Sequence, residues 1–175
     1  MTRPTVTFVF GGARSGKSSF AEQLAVERFR HPLYLATAQP VDAEMGDRIA
    51  RHRARRGDAW GCREEPLDLA HALATGDPAC DGVLLECLGT WLGNVLHHEG
   101  EAAWPARRDA LLAALRAPAR SVVLVGNETG MGIVPATPLG RRFRDLNGWL
   151  NQAVAALADE VVFLAAGLPL WLKRP

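Results

Sequence analysis

Residues 11–18, GGARSGKS, limit what this chain can fold into more than any other stretch of it. They fit the spacing G-x-x-x-x-G-K-[ST], with Gly11, Gly16, Lys17 and Ser18 in the fixed places. Glycines at such points let a loop take positive φ and bring backbone N–H groups against phosphate oxygens. A helix starting at Lys17 adds the positive end of its dipole at the same spot. Lys17 is then able to reach the β- and γ-phosphates of a nucleotide, and the Ser18 hydroxyl to ligate Mg²⁺. The flanks agree. Residues 5–10 (TVTFVF) form a β-branched and aromatic run leading straight into the loop, and residues 18–29 carry Phe20, Leu24 and Phe29 among polar residues, a helical pattern. Strand, loop and helix in this order predict a nucleotide site.

Beyond the loop, apolar runs alternate with helical patterns. Residues 32–38 (PLYLATA) read as a second strand, 83–85 as a short one ending at Glu86, 122–125 as one buried on both faces, and 161–165 as a fifth. Between them, 67–73, 88–97, 104–115 and 138–157 read as helices; the last shows Phe143, Leu146, Leu150, Val154 and Leu157 along one side. Gly167 and Pro169 turn the chain into a final strand over 170–172, expected to form an antiparallel hairpin. The alternation predicts an α/β domain in three layers with a mostly parallel sheet flanked by helices. At 175 residues the chain is long enough for one such domain with a full core. A strand begins within a few residues of the N-terminus and no apolar run approaches the length of a membrane span, so no membrane span is expected and a cytoplasmic location is. A net charge of +1 carries no signal for a nucleic-acid partner. Cys62, Cys80 and Cys87 are odd in number and lack C-x-x-C spacing, and are read as small buried apolar residues.

Several residues are candidates for chemistry. Thr37 closes the second strand where ligand crevices open in such sheets; it is either a nucleotide contact or a hydroxyl satisfied locally. Residues 42–56 (DAEMGDRIARHRARR) predict a helix on which Arg48, His52 and Arg55 or Arg56 share one face. Like charges at this spacing repel by about 0.2–0.5 kcal/mol per pair, which a polyphosphate would offset. Guanidinium neighbours disfavour imidazolium and would keep His52 neutral and nucleophilic; the plain alternative is a solvated basic face with an incidental histidine. Trp60 and Glu64 fall in a short edge strand. Glu86 is either a carboxylate that holds Mg²⁺ or the cap of the next helix. His97 and His98 are expected at the surface, and residues 126–135 (GNETGMGIVP) have the composition of a binding loop.

Taken in order, GGARSGKS, LYLATA, RIARHRARRGDAW, LLECLGTWLGNVL, VGNETGMGIVP and RRFRDLNGWLNQ resemble the bifunctional adenosylcobinamide kinase/adenosylcobinamide-phosphate guanylyltransferase family over nearly the whole chain. The resemblance implies a RecA-like P-loop NTPase fold in a single domain over 1–175. It also implies two activities: phosphorylation of adenosylcobinamide at a hydroxyl, with ATP or GTP as donor, and transfer of GMP from GTP onto that phosphate through a GMP-histidine intermediate. By residue matching, His52 would carry GMP and Lys17 would serve catalysis, with Mg²⁺ on Ser18 and Glu86. Gly11, Gly12, Ala13, Arg14, Ser15, Gly16, Lys17, Ser18, Ala36, Thr37, Ala38, Arg53, Ala54, Arg55, Arg56, Glu64 and Glu86 would line the nucleotide site. A homo-oligomer, a trimer, is also implied. Two departures from the family pattern stand out: Ala136-Thr137 where Glu-Asn is usual after Ile-Val-Pro, and Gly89 and Gly93 where Thr is common. The competing readings are a P-loop kinase of another small alcohol, which needs no covalent histidine, and a nucleotide-gated regulatory protein.

Overall fold

A computed structural model describes residues 3–39 and 60–174. His52, the arginines of residues 48–56 and the helix expected over 42–56 lie outside the described residues.

Among the described residues seven strands form one sheet: β1 (Val6–Gly11), β2 (Pro32–Ala36), β3 (Gly61–Glu64), β4 (Gly82–Glu86), β5 (Ser121–Asn127), β6 (Glu160–Ala165) and β7 (Leu168–Lys173), in the spatial order β3-β2-β4-β5-β1-β6-β7. All neighbouring pairs are parallel except β6 with β7, the expected hairpin. The fifth strand read from the sequence is thus the sixth. The edge strand at Glu64 exists as β3, pairing with β2. The helices are α1 (Lys17–Arg28), α2 (Leu69–Thr75), α3 (Leu88–His98), α4 (Trp104–Arg116) and α5 (Pro138–Leu157). β2 ends at Ala36, short of the expected 38; the Thr37 N–H donates the last rung of the β2–β4 ladder, to the Glu86 carbonyl (2.9 Å), where β4 also ends.

The sheet separates two apolar cores, as a three-layer domain requires. Val9, Tyr34, Leu84, Val123, Val125 and Val162 pack under α1 on one face. Phe8, Leu35, Leu85, Leu88, Trp91, Leu111, Leu124 and Leu150 fill the other, under the remaining helices. Complete burial of a side chain such as Leu124 (0% exposed) removes its whole apolar area from water, worth about 1.5–3 kcal/mol. In α1 the buried set is Ala21, Leu24 and Ala25, whereas Phe20 is half-buried; alanines let the helix lie close over the strands. Along α5, Leu146, Leu150 and Val154 are buried on the expected side, with Phe143 and Leu157 at the margin. Of the cysteines only Cys80 is buried; Cys62 is exposed because it points off edge strand β3.

Parallel pairing puts the carboxyl ends of β1, β2, β4, β5 and β6 at one edge, and the register lines these ends up with one another. Gly11 stands opposite Asn127 on one side and Leu164 on the other. Ala36 stands between Glu64 and Glu86. β5 is inserted between β1 and β4, so the loop after Gly11 and the carboxylate of Glu86 are two strand spacings apart, about 10 Å. That gap is the site.

Candidate functional site at the carboxyl edge of the sheet

The loop between β1 and α1 is held in shape by its own backbone. The Ser15 N–H donates to the Gly12 carbonyl (3.3 Å), and Arg14 and Gly16 take φ of 59° and 93° on either side of Ser15. Gly11 cannot carry a side chain, because a Cβ there would lie 2.5 Å from the Leu164 carbonyl oxygen. Two further bonds pin the loop from outside. The Glu128 N–H donates to the Gly11 carbonyl (2.9 Å), and the Gly167 N–H, in the β6–β7 turn, donates to the Ser15 carbonyl (2.9 Å). α1 begins at Gly16 with no side-chain cap and no acidic residue in its first turn. Its leading N–H groups and positive dipole end therefore face the loop with no carboxylate from their own helix, which is what an anion requires. Lys17 Nζ donates to the Gly12 carbonyl (3.1 Å), folded across the loop it would serve.

Ser18, one residue on, reaches the gap between strands. Its hydroxyl donates to Glu86 Oε1, and Tyr34 Oη donates to Glu86 Oε2 (3.3 Å). Glu86 does not cap α3. That part is played by Cys87, whose sulfur accepts from the Thr90 N–H (3.5 Å). A serine hydroxyl touching a carboxylate is a pair of hard oxygen donors. Mg²⁺ commonly takes one or two such protein oxygens and completes its octahedron with water and substrate phosphates. Ser18 and Glu86 fit that requirement, and no cluster of three or more His, Cys, Asp or Glu side chains suited to a metal occurs among the described residues.

Thr37 is fully buried, and its hydroxyl is spent inside the protein: it accepts from the Cys87 N–H (2.7 Å) and lies 3.1 and 2.9 Å from the Glu86 and Cys87 carbonyls. The hydroxyl is satisfied locally, as one of the two readings has it. Thr37 fixes the backbone that carries Glu86. Asn94 holds it from behind, donating to the Thr37 carbonyl (2.8 Å). Ala36 and Ala38 are half-buried beside it, and Glu64 is exposed at the edge of the same row. His97 and His98 are exposed, as expected.

Two residues that sequence reasoning did not single out shape this edge. Asn147 and Asn151, on the buried face of α5, both donate to the Asn127 carbonyl (2.7 and 2.9 Å), and Asn147 also donates to Thr129 Oγ1 (3.2 Å). Asparagine at i and i+4 on an otherwise apolar helix face was the available signal. The Asn127 side chain lies against one departure from the family pattern. A Cβ at Gly89 would lie 2.8 Å from Asn127 Nδ2, so threonine there would turn that amide away, whereas Gly93 faces open space. At the other departure Thr137 is the N-cap of α5, accepting from the Gly140 N–H (3.1 Å).

The family model for cobinamide kinase / cobinamide phosphate guanyltransferase matches residues 7–172. The chain belongs to this family. It is 47% identical to the bifunctional adenosylcobalamin biosynthesis protein CobP of Pseudomonas aeruginosa over 94% of its own length and 95% of that protein's. To the CobU protein of Salmonella typhimurium it is 41% identical, covering 94% and 98% of the two chains. The fold is similar to ATPases of type III secretion systems. The assembled EscN ATPase matches with a TM-score of 0.55 at 11% identity, over 93% of this chain and 43% of that one. A second such ATPase also gives 0.55, at 12% identity over 92% and 51%. At that identity the likeness speaks for the P-loop ATPase architecture alone. In this family member the loop, the Ser18–Glu86 pair and the carboxyl edge of the sheet form one continuous feature.

Proposed function

We propose that the protein acts in adenosylcobalamin biosynthesis, phosphorylating adenosylcobinamide and then transferring GMP from GTP to the phosphate so made. The observation that carries the reading is the contact between Ser18 and Glu86 beside an uncapped helix N-terminus, in a chain that belongs to the family. In the first step the backbone N–H groups of residues 11–18 bind the triphosphate, Lys17 neutralises charge at the β- and γ-phosphates, and the acceptor's hydroxyl oxygen attacks the γ-phosphorus. Mg²⁺, held by Ser18 and Glu86, would supply charge neutralisation on the phosphates.

In the second step a ring nitrogen of His52 attacks the α-phosphorus of GTP. The bond to pyrophosphate breaks and a phosphoramidate forms. An oxygen of the acceptor phosphate then displaces the histidine, which leaves as free imidazole. Arg53, Arg55 and Arg56, the cations next to His52 in sequence, would counter charge on the departing pyrophosphate. Ala54 and Glu64 belong to the proposed nucleotide surroundings through the family match. ATP and GTP are the proposed donors of the first step. A homotrimer is the proposed assembly, and the exposed Leu168, Leu170 and Leu172 along β7 support self-association. No helix among the described residues is long and apolar enough to cross a membrane; the proposed site of action is the cytoplasm.

The test is covalent labelling. Incubation with GTP should leave a GMP adduct on the protein, labile to acid and stable to alkali, and His52→Ala should abolish the adduct and the guanylyl transfer while the kinase step continues. Phosphorylated product with no adduct in the unmodified protein would point to a kinase of the alcohol alone. An adduct that survives in His52→Ala would mean a different nucleophile.

A further inference from the structure

The kinase step leaves one proton unassigned. As the acceptor's hydroxyl oxygen bonds to the γ-phosphorus it must lose its hydrogen, and the groups around the metal position cannot take it. Lys17 is a cation, and Glu86 is engaged with Ser18 and Tyr34.

A cleft of about 460 Å³ opens beside the loop, lined by the loop itself and by the carboxyl ends of β5 and β6, the two strands that flank β1. Gly12, Ser15, Glu128, Met131 and Phe163 are among the residues that line it. Glu128 is the sole carboxylate among the described residues that line it. Its position is fixed from several sides. Its N–H bonds the carbonyl of Gly11, the first residue of the phosphate loop. Asn127 before it and Thr129 after it are both held by amides of α5. Its Oε1 accepts from the Gly130 N–H, an exposed contact that ties the carboxylate to its own loop beside the cleft. Met131 is 79% exposed and Phe163 half-buried, so the cleft offers apolar surface to the body of a large acceptor and one acid to its hydroxyl.

We propose that Glu128 is the general base of phosphoryl transfer and that this cleft receives the hydroxyl-bearing end of the acceptor. The inference rests on the kinase reading above. The hydroxyl proton passes to the Glu128 carboxylate as the oxygen–phosphorus bond forms. The bond from the γ-phosphorus to the bridging oxygen breaks, and the nucleoside diphosphate leaves with that electron pair. Glu128 later gives its proton to water. Two carboxylates near the phosphate loop divide the work: Glu86 with the metal, Glu128 with the acceptor.

The experiment measures cobinamide phosphorylation by the full chain and by Glu128→Gln and Glu128→Asp, with nucleotide affinity taken in parallel by titration calorimetry. Glutamine keeps an oxygen for the Gly130 N–H and removes only basicity. Glu128→Gln should lower kcat for phosphorylation by about 10²–10⁴-fold while the nucleotide Kd moves less than about threefold. Glu128→Asp should recover part of the rate. The acid limb of the pH–rate profile should flatten in Glu128→Gln, which a structural role would not produce. A Glu128→Gln rate within threefold of the unmodified protein overturns the assignment and leaves the kinase reading intact. Matched losses of rate and nucleotide affinity also overturn it. If the unmodified protein phosphorylates no cobinamide, the kinase reading fails and the assignment falls with it.

Discussion

Replacing Asn147 and Asn151 by alanine, singly and together, tests how the phosphate loop is held at its far end. Both amides donate to one oxygen, the Asn127 carbonyl, so their orientation is set by the acceptor: only an NH₂ group can face a carbonyl. Both side-chain Oδ1 atoms are then buried with no hydrogen-bond partner. Asn147→Ala removes two bonds, at 2.7 and 3.2 Å, each worth about 0.5–1.5 kcal/mol. It also removes a buried orphan oxygen, which offsets about 1 kcal/mol of the loss, so the net cost should be about 1 kcal/mol. Asn151→Ala removes one bond, at 2.9 Å, and one orphan oxygen, and should cost about 0.5 kcal/mol or less. In either single variant the other amide still serves the Asn127 carbonyl. In the double variant neither does, and that oxygen adds its own desolvation penalty. The double variant should exceed the sum of the singles by about 1–2 kcal/mol. Urea unfolding followed by circular dichroism measures all three. The same carbonyl precedes the Glu128–Gly11 peg, so nucleotide affinity should fall in the double variant well beyond either single. Additivity within about 0.5 kcal/mol would refute the shared-acceptor argument.

Two further outcomes come from the geometry. Glu86→Gln keeps an acceptor for the Ser18 hydroxyl but loses the charge, so Mg²⁺-dependent turnover should drop about 10–100-fold while nucleotide binding without metal changes little; equal losses would make Glu86 a structural residue. Glu160, half-buried at the opposite edge of the sheet, would have its pKa raised by burial, but hydrogen bonds from Arg28 and Thr7, with the charge of Arg28, outweigh this and hold it below the ordinary 4.5. A lowered folded-state pKa adds stability above the unfolded value that disappears as pH falls through the folded one. Glu160→Gln should therefore cost about 1–2 kcal/mol at pH 7, allowing for partial solvent screening, and the difference from the unmodified protein should shrink as pH falls below the ordinary carboxylate value and close once Glu160 is protonated in the folded protein; a gap that persists there would place the effect in packing.

What the sequence determined by itself was local. The phosphate loop is legible because the demands it meets act within eight residues: positive φ at Gly16 and N–H groups at the start of a helix. Pro138 marked the start of α5 because proline suits a first helical turn, and the apolar runs of β4 and β5 marked buried parallel strands because both faces of such strands meet helices. The tertiary structure decided what touches what. Ser18 and Glu86 are 68 residues apart, and their contact depends on β5 entering between β1 and β4, which no periodicity records. Thr37 read equally well as a ligand contact or a satisfied hydroxyl until the pairing of β2 with β4 brought the Cys87 N–H to it. Asn147 and Asn151 looked like polar interruptions of an apolar stripe, and Glu128 like one residue of a polar loop. Their meaning comes from the Asn127 carbonyl that α5 covers and from the cleft beside Gly12. Hydrophobic period tells a residue which face it occupies, but only strand order and register supply its neighbour, because those are set by the simultaneous burial of every strand at once.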